Sequence, residues 1–435
     1  MESAKRSLVI VGGGFAGVWA ALAAARQRRA LRLDDEIAIR VVSPERAHGI
    51  RPRFYEADLS PAAVELARIF APVGIEHVCD RAVGLDLGRR EVQLADGRLP
   101  FDALVWALGS TLVRPRLPGA ERLHSVDTLA DAAALDRHLR ALAAGPELAG
   151  RDTIVVVGAG FTGLEAATEL VTRFARLLGR AVRVVLVERS PHVGPEFGPD
   201  ARAVIEAALA ELGVAVRTGA TVAELGPDAV ALSSGETIAT RTVVWSAGVQ
   251  AHPAARWLGP PADAAGRLAV DAQLQVTGQR AIFAAGDVAR ALVDGEQPAM
   301  MSCQHAIPQG RYAGHNALRL LAGRSLKRYE QRLYLTCLDL GAWGGLLTCG
   351  FDRNRILAIR DDAARLKRFI NTTAIYPPLD ADPAALLRAA APPPGGRLAS
   401  AVVRWAVSSP RVRRVIAARA TTPASAAPAT ALIAG

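Results

Sequence analysis

The chain has 435 residues, a length that accommodates two or three domains with full-sized cores. It is 51% hydrophobic and 22% charged, as globular proteins are, and no apolar run reaches the roughly 18 residues of a membrane span. The four cysteines have no CxxC spacing, which argues against a disulfide scaffold, a zinc site or an iron–sulfur site, so we expect no bound metal and a reducing compartment.

The first predicted element is an apolar strand, Leu8–Val11, followed by a glycine-rich turn and a helix of small residues. In a GxGxxG turn the first glycine permits the tight turn and the second lets the backbone approach a pyrophosphate. The third lets helix and strand pack closely. The residues assigned to this turn are Gly12, Gly14, Phe15, Ala16 and Gly17. Because the motif begins so early, we expect no signal peptide and a cytoplasmic location.

The next strand, Ile37–Val42, ends in Ser43, whose hydroxyl is able to bond a ribose, with Glu45 nearby as a substitute. Within residues 89–106, the sequence predicts strands at 92–94 and 101–106 on either side of an Asp96-Gly97 turn. The two prolines within 114–119 indicate a connection that leaves the first domain.

A second copy of the motif follows the strand Ile154–Val157 and also opens a helix. Its assigned residues are Gly158, Gly160, Thr162 and Gly163. A single GxGxxG match is a weak signal, but two copies in the same strand, turn and helix context predict two bound dinucleotides.

The strand after the second motif, 183–188, ends in Glu188, placed to accept hydrogen bonds from a ribose 2′-hydroxyl. A carboxylate repels a 2′-phosphate, so Glu188 favours NADH over NADPH. Arg189 follows directly and offsets part of that repulsion, which leaves NADPH open as a donor.

Two later strands complete the pattern. Residues 241–248 end in Gly248 and echo the strand 104–109, which ends in Gly109. The apolar strand 281–285 then runs into Gly286 and Asp287.

These landmarks occur in the order and spacing of the two-dinucleotide flavoprotein oxidoreductases, and the chain resembles the type II NADH dehydrogenases within that family. His48, Pro52 and Tyr55 resemble the His-x-x-x-Pro-x-x-Tyr stretch of that branch. The segment Gly163-Leu164-Glu165 looks like its Gly-x-Glu, and 303–310 is similar to its Ala-Gln…Gln-Gly motif on the quinone side. The resemblance covers about residues 7 to 320.

The resemblance implies an α/β fold with two Rossmann-like domains. It also implies a discontinuous FAD domain, an inserted NAD(P)H domain and a small C-terminal domain. We place the FAD domain at 1–115 and 266–325, the NAD(P)H domain at 116–265, a capping domain at 326–390 and a basic tail at 391–435. FAD would use Gly12, Gly14, Gly17, Ser43 and Asp287, and NADH would use Gly158, Gly160, Gly163, Glu188 and Gly248.

For the electron acceptor we predict a flat apolar entrance beside the flavin, lined by Gln304 and Gln309 with Cys303 and Ile307. Amide groups are able to bond the carbonyls of a quinone, and Glu165 is a candidate to relay the protons that quinone reduction consumes. Under the simpler alternative, both glutamines satisfy buried backbone groups and Glu165 is a carboxylate favoured by the helix dipole.

The sequence departs from the family pattern at Ser43, Leu108 and Cys303, and most strongly in its last third. The net charge is +10, and no Asp or Glu occurs after Asp382. An apolar stripe at 398–406, flanked by arginines, is compatible with binding to an anionic surface at the inner face of the cell membrane. The alternative is a solvated tail that ends in disorder at 421–435. We expect no nucleic-acid partner and leave a homodimer open.

Other functions of this fold place different demands on the sequence. A disulfide reductase of this fold needs two cysteines near the flavin, and residues 40–60 contain none. A sulfide:quinone oxidoreductase needs a pair of sulfurs there, and Cys303 alone does not supply it. A soluble diaphorase or ferredoxin reductase, and a nucleotide-binding redox sensor with little turnover, remain as alternatives.

Overall fold

A computed structural model describes residues 5–331 and 334–392, so the tail predicted from residue 391 lies almost entirely outside the described residues. The first segment contains two helices and ten strands. They are β1 (Arg6–Val11), α1 (Phe15–Leu31), β2 (Ile37–Val42), β3 (Ala47–Gly49), β4 (Ala63–Glu65), α2 (Leu66–Phe70), β5 (Glu76–Val78), β6 (Ala82–Asp86), β7 (Glu91–Leu94), β8 (Gly97–Pro100), β9 (Ala103–Trp106) and β10 (Ser110–Leu112).

The second segment repeats the strand, turn and helix order. It contains α3 (Leu129–Ala144), β11 (Thr153–Val157), α4 (Phe161–Leu178), β12 (Arg183–Glu188), α5 (Pro199–Glu211), β13 (Ala215–Thr218), β14 (Val222–Leu225), β15 (Ala229–Leu232), β16 (Thr237–Ala239), β17 (Thr242–Trp245) and β18 (Val249–Ala251).

The chain then returns to the first sheet, and the described residues continue through a small separate layer to a last short helix. These elements are β19 (Leu268–Ala269), β20 (Ile282–Ala284), β21 (Ala289–Arg290), α6 (Cys303–Leu321), β22 (Leu335–Asp339), β23 (Gly345–Cys349), β24 (Arg355–Ile359), α7 (Arg360–Phe369), a π-helical turn (Ile370–Ala374) and α8 (Pro383–Ala389).

Two parallel sheets form the framework of the molecule. The first has the strand order β20-β9-β1-β2-β5 and the second β13-β12-β11-β17. The apolar residues of their central strands, 8–11 in β1 and 154–157 in β11, are buried, as expected for parallel strands covered on both faces. Because β20 belongs to the first sheet, that unit is interrupted by the second, which confirms the predicted fold class.

The strand predicted at 101–106, after the Asp96-Gly97 turn, is confirmed as β9, and a further short strand, β8, precedes it. Residues 97–100 pair with β7 as a hairpin, and only 103–106 join the parallel sheet. The backbone hydrogen bonds of β8 are made locally, because β6, β7 and β8 form a separate antiparallel sheet.

Helices α1 and α6 pack backbone to backbone. A Cβ atom on Gly310 would lie 2.3 Å from the carbonyl oxygen of Ala16, and one on Gly314 would lie 1.9 Å from that of Ala20. The two glycines therefore permit an approach that larger residues forbid. This contact holds the N-terminal end of α6 beside the first glycine-rich turn.

The C-terminal layer is an antiparallel sheet, β22-β23-β24, with α7 packed against it. It packs closely against α4 at Gly341, where an added Cβ atom would lie only 2.6 Å from the carbonyl oxygen of Thr168. It also reaches α5, where Asn354 Oδ1 accepts a hydrogen bond from the Asp200 amide at 2.8 Å. Within residues 5–331 and 334–392, no helix combines the length and hydropathy of a transmembrane span.

Candidate active site

A continuous cavity of about 2070 Å³ runs between the two parallel sheets and under the C-terminal layer. Both glycine-rich turns line it, and so does the first turn of α6. The cavity is larger than the roughly 300–1,000 Å³ of ordinary small-molecule sites, so it has room for more than one ligand.

At the first turn, the outer glycines pack inward and the middle one faces the cavity. A Cβ on Gly12, whose φ is +118°, would lie 2.3 Å from the Ala107 carbonyl oxygen, and one on Gly17 would lie 1.8 Å from that of Gly12. Gly14 has nothing within 4 Å of such an atom. Phe15 and Ala16 follow on the cavity wall at the start of α1.

The second turn repeats this arrangement. A Cβ on Gly163 would lie 1.7 Å from the carbonyl oxygen of Gly158, whereas Gly160 meets no atom closer than 4.0 Å. Neither α1 nor α4 has an acidic residue in its first turn or a side chain capping it. Their free N–H groups therefore suit an anion such as a pyrophosphate. Thr162 also lines this part of the cavity.

Glu188 lies at the end of β12 with only 6% of its surface exposed. Its Oε2 accepts from the Ala159 amide at 2.7 Å and its Oε1 from the Ser190 amide at 2.8 Å. These bonds fix the carboxylate at the cavity wall, and its remaining lone pairs are able to accept from a ribose. Arg189, next to it, is exposed.

Ser43 occupies the equivalent position at the end of β2 and is buried. A Cβ on Gly13 would lie 2.7 Å from its Oγ, so the hydroxyl lies against the first turn. His48, a member of the predicted His-x-x-x-Pro-x-x-Tyr stretch, has its Nδ1 3.2 Å from the Gly13 carbonyl oxygen. Burial lowers the pKa of His48 to about 4, so it is neutral at physiological pH.

Asp287 is partly buried where the first sheet faces the cavity. Its Oδ2 accepts from Ser110 Oγ at 2.6 Å and lies 3.9 Å from Arg51 Nη1, and burial raises its pKa. Gly109, Gly248 and Gly286 line the same region, each with positive φ. Sequence reasoning missed Arg51, which pairs with Asp127 and brings a positive charge to this wall. The only indication in the sequence was that Arg51 lies three residues after His48, within the His-x-x-x-Pro-x-x-Tyr stretch.

The two candidate glutamines on α6 are not equivalent. Gln304 lines the cavity. Gln309 is 1% exposed, and its Oε1 accepts from the Gly286 amide at 2.8 Å. The structure therefore places one amide at the cavity and uses the other to hold the turn before Asp287.

Glu165 belongs to a largely buried polar cluster shared by four segments. Its Oε1 lies 2.7 Å from Lys367 Nζ and accepts from the Asp339 amide at 3.1 Å. Tyr55 Oη donates to Asp339 Oδ2 at 3.0 Å. Burial raises the pKa of Glu165 to about 7, against the opposing effect of the Lys367 charge.

Lys367 was missed in the sequence. It is one of only three lysines among 52 basic residues, in a helix whose charge pattern looks like that of a solvated surface. The structure buries it, and both Glu165 and Lys367 line the cavity.

The cavity wall carries two cysteines, where the sequence suggested Cys303 alone. Cys337 also lines it, and burial raises the pKa of Cys303 to about 11 and that of Cys337 to about 12. Both thiols are protonated at neutral pH and therefore weak nucleophiles. The described residues contain no group of three histidine, cysteine or acidic side chains able to hold a metal ion.

Comparison with known proteins points to one family. A model of the pyridine nucleotide-disulphide oxidoreductases matches residues 6–310. A NADH dehydrogenase-like protein of Mycobacterium tuberculosis is 45% identical over 392 residues, 88% of this chain and 98% of that protein. A type II NADH:quinone oxidoreductase of Staphylococcus epidermidis is 26% identical over 399 residues, 86% of this chain and 96% of that protein.

Comparison with solved structures supports the same fold. The structure of NDH2 from Plasmodium falciparum in complex with NADH matches with a TM-score of 0.71 over 88% of this chain and 97% of that one, at 11% identity. Together with the sequence matches, this confirms the resemblance inferred from the motifs.

Proposed function

Because the chain belongs to the pyridine nucleotide-disulphide oxidoreductase family, we propose that it is a flavoenzyme of the type II NADH dehydrogenase kind, which oxidises NADH and reduces a quinone. The observation that carries the proposal is the single cavity that joins two anion-binding turns to the acceptor side of α6. A nucleotide-binding sensor would need the two turns but not the space beside α6.

FAD is assigned to the first turn and NADH to the second, in the domains given above. The open space at Gly14 and at Gly160 supports this, since each leaves room for a pyrophosphate at a helix N-terminus. Arg51 and Ser110, next to Asp287, would hold the polar part of FAD. When bound, FAD supplies the chemistry of taking two electrons from NADH and delivering them to the acceptor.

The donor is assigned as NADH because backbone amides fix the Glu188 carboxylate at the end of β12, where a dinucleotide bound in this fold would place its ribose 2′ group. A 2′-phosphate there would meet a buried negative charge. The exposed Arg189 leaves NADPH as a weaker donor.

The acceptor is assigned as a quinone on the strength of Gln304 and the Glu165–Lys367 pair. The Gln304 amide would donate to a quinone carbonyl. Reduction of a quinone consumes protons, and the pKa of Glu165, raised to about 7, suits a group that gives up a proton at neutral pH. A peripheral contact of the basic C-terminal tail with an anionic membrane would bring the enzyme to its acceptor.

Three measurements test the proposal. Purified protein should be yellow, and acid precipitation should release non-covalent FAD. Steady-state NADH oxidation should be faster with a soluble quinone than with a ferredoxin or with oxygen. A colourless protein that gains no flavin from added FAD contradicts the central assignment, and a preference for ferredoxin contradicts the quinone assignment.

A further inference from the structure

A second cavity of about 1110 Å³ lies on the far side of the π-helical turn from the main cavity. It is bounded by α1, α6, the β4 region and the last described segment of the chain. Its lining residues include Trp19, Val64, Arg68, Arg311, Tyr376, Leu379 and Ala389. Nothing in the proposed reaction uses this space.

Arg311 lies in the wall of this cavity, with 7% of its surface exposed. Its guanidinium stacks over the Trp19 ring at 4.1 Å, and its Nε has no hydrogen-bond partner. Among the described residues, no carboxylate pairs with it. Burial lowers the pKa of Arg311 to about 10, so it remains charged at neutral pH. A buried charge without a counter-ion is costly, and stacking on an indole offsets only part of that cost.

The other arginines around the cavity differ from Arg311 because each has a partner. Arg53 pairs with Glu56 at 2.6 Å, Arg68 donates to the Leu379 carbonyl oxygen at 3.0 Å, and Arg388 lies 3.5 Å from Asp382. The lining contains four arginines and a single acidic residue, Glu65. The electrostatic potential inside therefore favours an anion.

Apart from Thr372, Thr373 and Tyr376, the rest of the wall is apolar. Its members are Trp19, Pro61, Ala63, Val64, Ala374, Pro377, Pro378, Leu379, Ala389 and Ala391. Leu379 is 37% exposed and lies with Arg68 and Arg388 on the solvent side, whereas Arg311 lies inside. A charged group at Arg311 joined to a hydrocarbon chain would match both parts of this surface.

We propose that this cavity is a second ligand site, which binds an anionic amphiphile. The carboxylate or phosphate of the ligand pairs with Arg311, and its alkyl chain lies along the apolar wall toward Leu379. The site is independent of the assignment of NADH and quinone to the main cavity. Arg311 follows Ile307 by one helical turn and also lines the main cavity, so the two sites adjoin.

The test is calorimetric titration of the full-length protein with dodecanoate below its micellar concentration. We expect one strong site per chain. Dodecanol, which has the same chain without the charge, and inorganic phosphate, which has charge without the chain, should each bind at least tenfold more weakly. Equal binding of dodecanol reduces the site to an apolar crevice and overturns the proposal, as does phosphate binding as tightly as dodecanoate.

Arg311→Gln should weaken dodecanoate binding by about tenfold or more, because it removes a charge-assisted hydrogen bond. It leaves no carboxylate unpaired, so the variant should unfold at the wild-type temperature or above. Arg319→Gln, on the same helix but outside the cavity, is the matched control and should bind as the wild type does. Ala389→Phe should weaken binding by filling the cavity while Arg311 remains. Unchanged dodecanoate binding in both Arg311→Gln and Ala389→Phe overturns the proposal.

Discussion

The two nucleotide turns of the main cavity and the proposed acceptor side are built in different ways. Each nucleotide turn comes from one continuous strand, turn and helix, such as β11 and α4. The acceptor side is assembled from distant segments, with Glu165 on α4, Gln304 on α6 and Lys367 on α7. A substitution in a turn therefore acts through local sterics, whereas one on the acceptor side acts through charge and hydrogen bonding across segments.

The largest effect is expected where the turn has no spare space. Gly163→Ala would place a methyl group 1.7 Å from the Gly158 carbonyl oxygen, so the second turn must shift. Overpacking of this kind costs about 1–3 kcal/mol, and flavin reduction by NADH should fall at least 100-fold. Thermal unfolding and stopped-flow reduction measure the two effects.

Gly160→Ala is the matched control, because its methyl group would point into the open cavity. This variant should keep the wild-type unfolding temperature and lose only affinity for NADH. If Gly160→Ala destabilised the protein as much as Gly163→Ala, the distinct functions given to the two glycines would be wrong.

Glu165→Gln should have the next largest effect, confined to the acceptor half-reaction. A positioned general acid contributes about 100-fold or more to a rate. Glu165 loses its proton as the pH rises through about 7, so wild-type reoxidation by quinone should slow above that pH. Reoxidation of the variant should be slow at every pH, and its rate should show no bend when plotted against pH. A bend that persists in Glu165→Gln assigns the titration to another group.

Lys367→Met sharpens this test. Without the ammonium group 2.7 Å away, the carboxylate of Glu165 loses the charge that opposes its desolvation, so its pKa should rise further and the bend should move to higher pH. The pH dependence of stability has the same direction in both proteins. A folded-state pKa above the ordinary value means that Glu165 binds protons more strongly when folded, so its contribution to the free energy of unfolding falls as the pH rises from about 4.5 to about 7.

Gln304→Ala should slow reoxidation by quinone about tenfold, the value of one hydrogen bond, and leave reduction by NADH nearly unchanged. Gln309→Ala should act on the flavin site instead, because the Gln309 side-chain oxygen accepts the hydrogen bond from the Gly286 amide. We expect it to weaken FAD retention, measured by flavin release on dilution. Reoxidation of Gln304→Ala at the wild-type rate would remove Gln304 from the acceptor site.

The sequence predicted the two Rossmann units because their determinants are local: apolar strands, glycine spacing and the acid at Glu188 all lie within short windows. It predicted the position of Gln304 by resemblance alone. It did not predict Lys367, since the partner of this lysine lies about 200 residues away and α7 has the charge pattern of an exposed helix. Nor did it distinguish Gln309 from Gln304, because a difference of burial on one helix depends on what packs against it.

The smallest effect is expected at Glu188, where the preference for NADH is set. Both carboxylate oxygens already accept backbone hydrogen bonds, so part of the charge is offset before a nucleotide binds. Glu188→Ala should therefore narrow the ratio of kcat/KM for NADH over NADPH by only about 1 kcal/mol, or about fivefold. Arg189→Ala should widen that ratio, because it removes the positive charge beside a 2′-phosphate. A wild-type enzyme that prefers NADPH, with the preference lost in Arg189→Ala, would show that the arginine and not the carboxylate selects the donor.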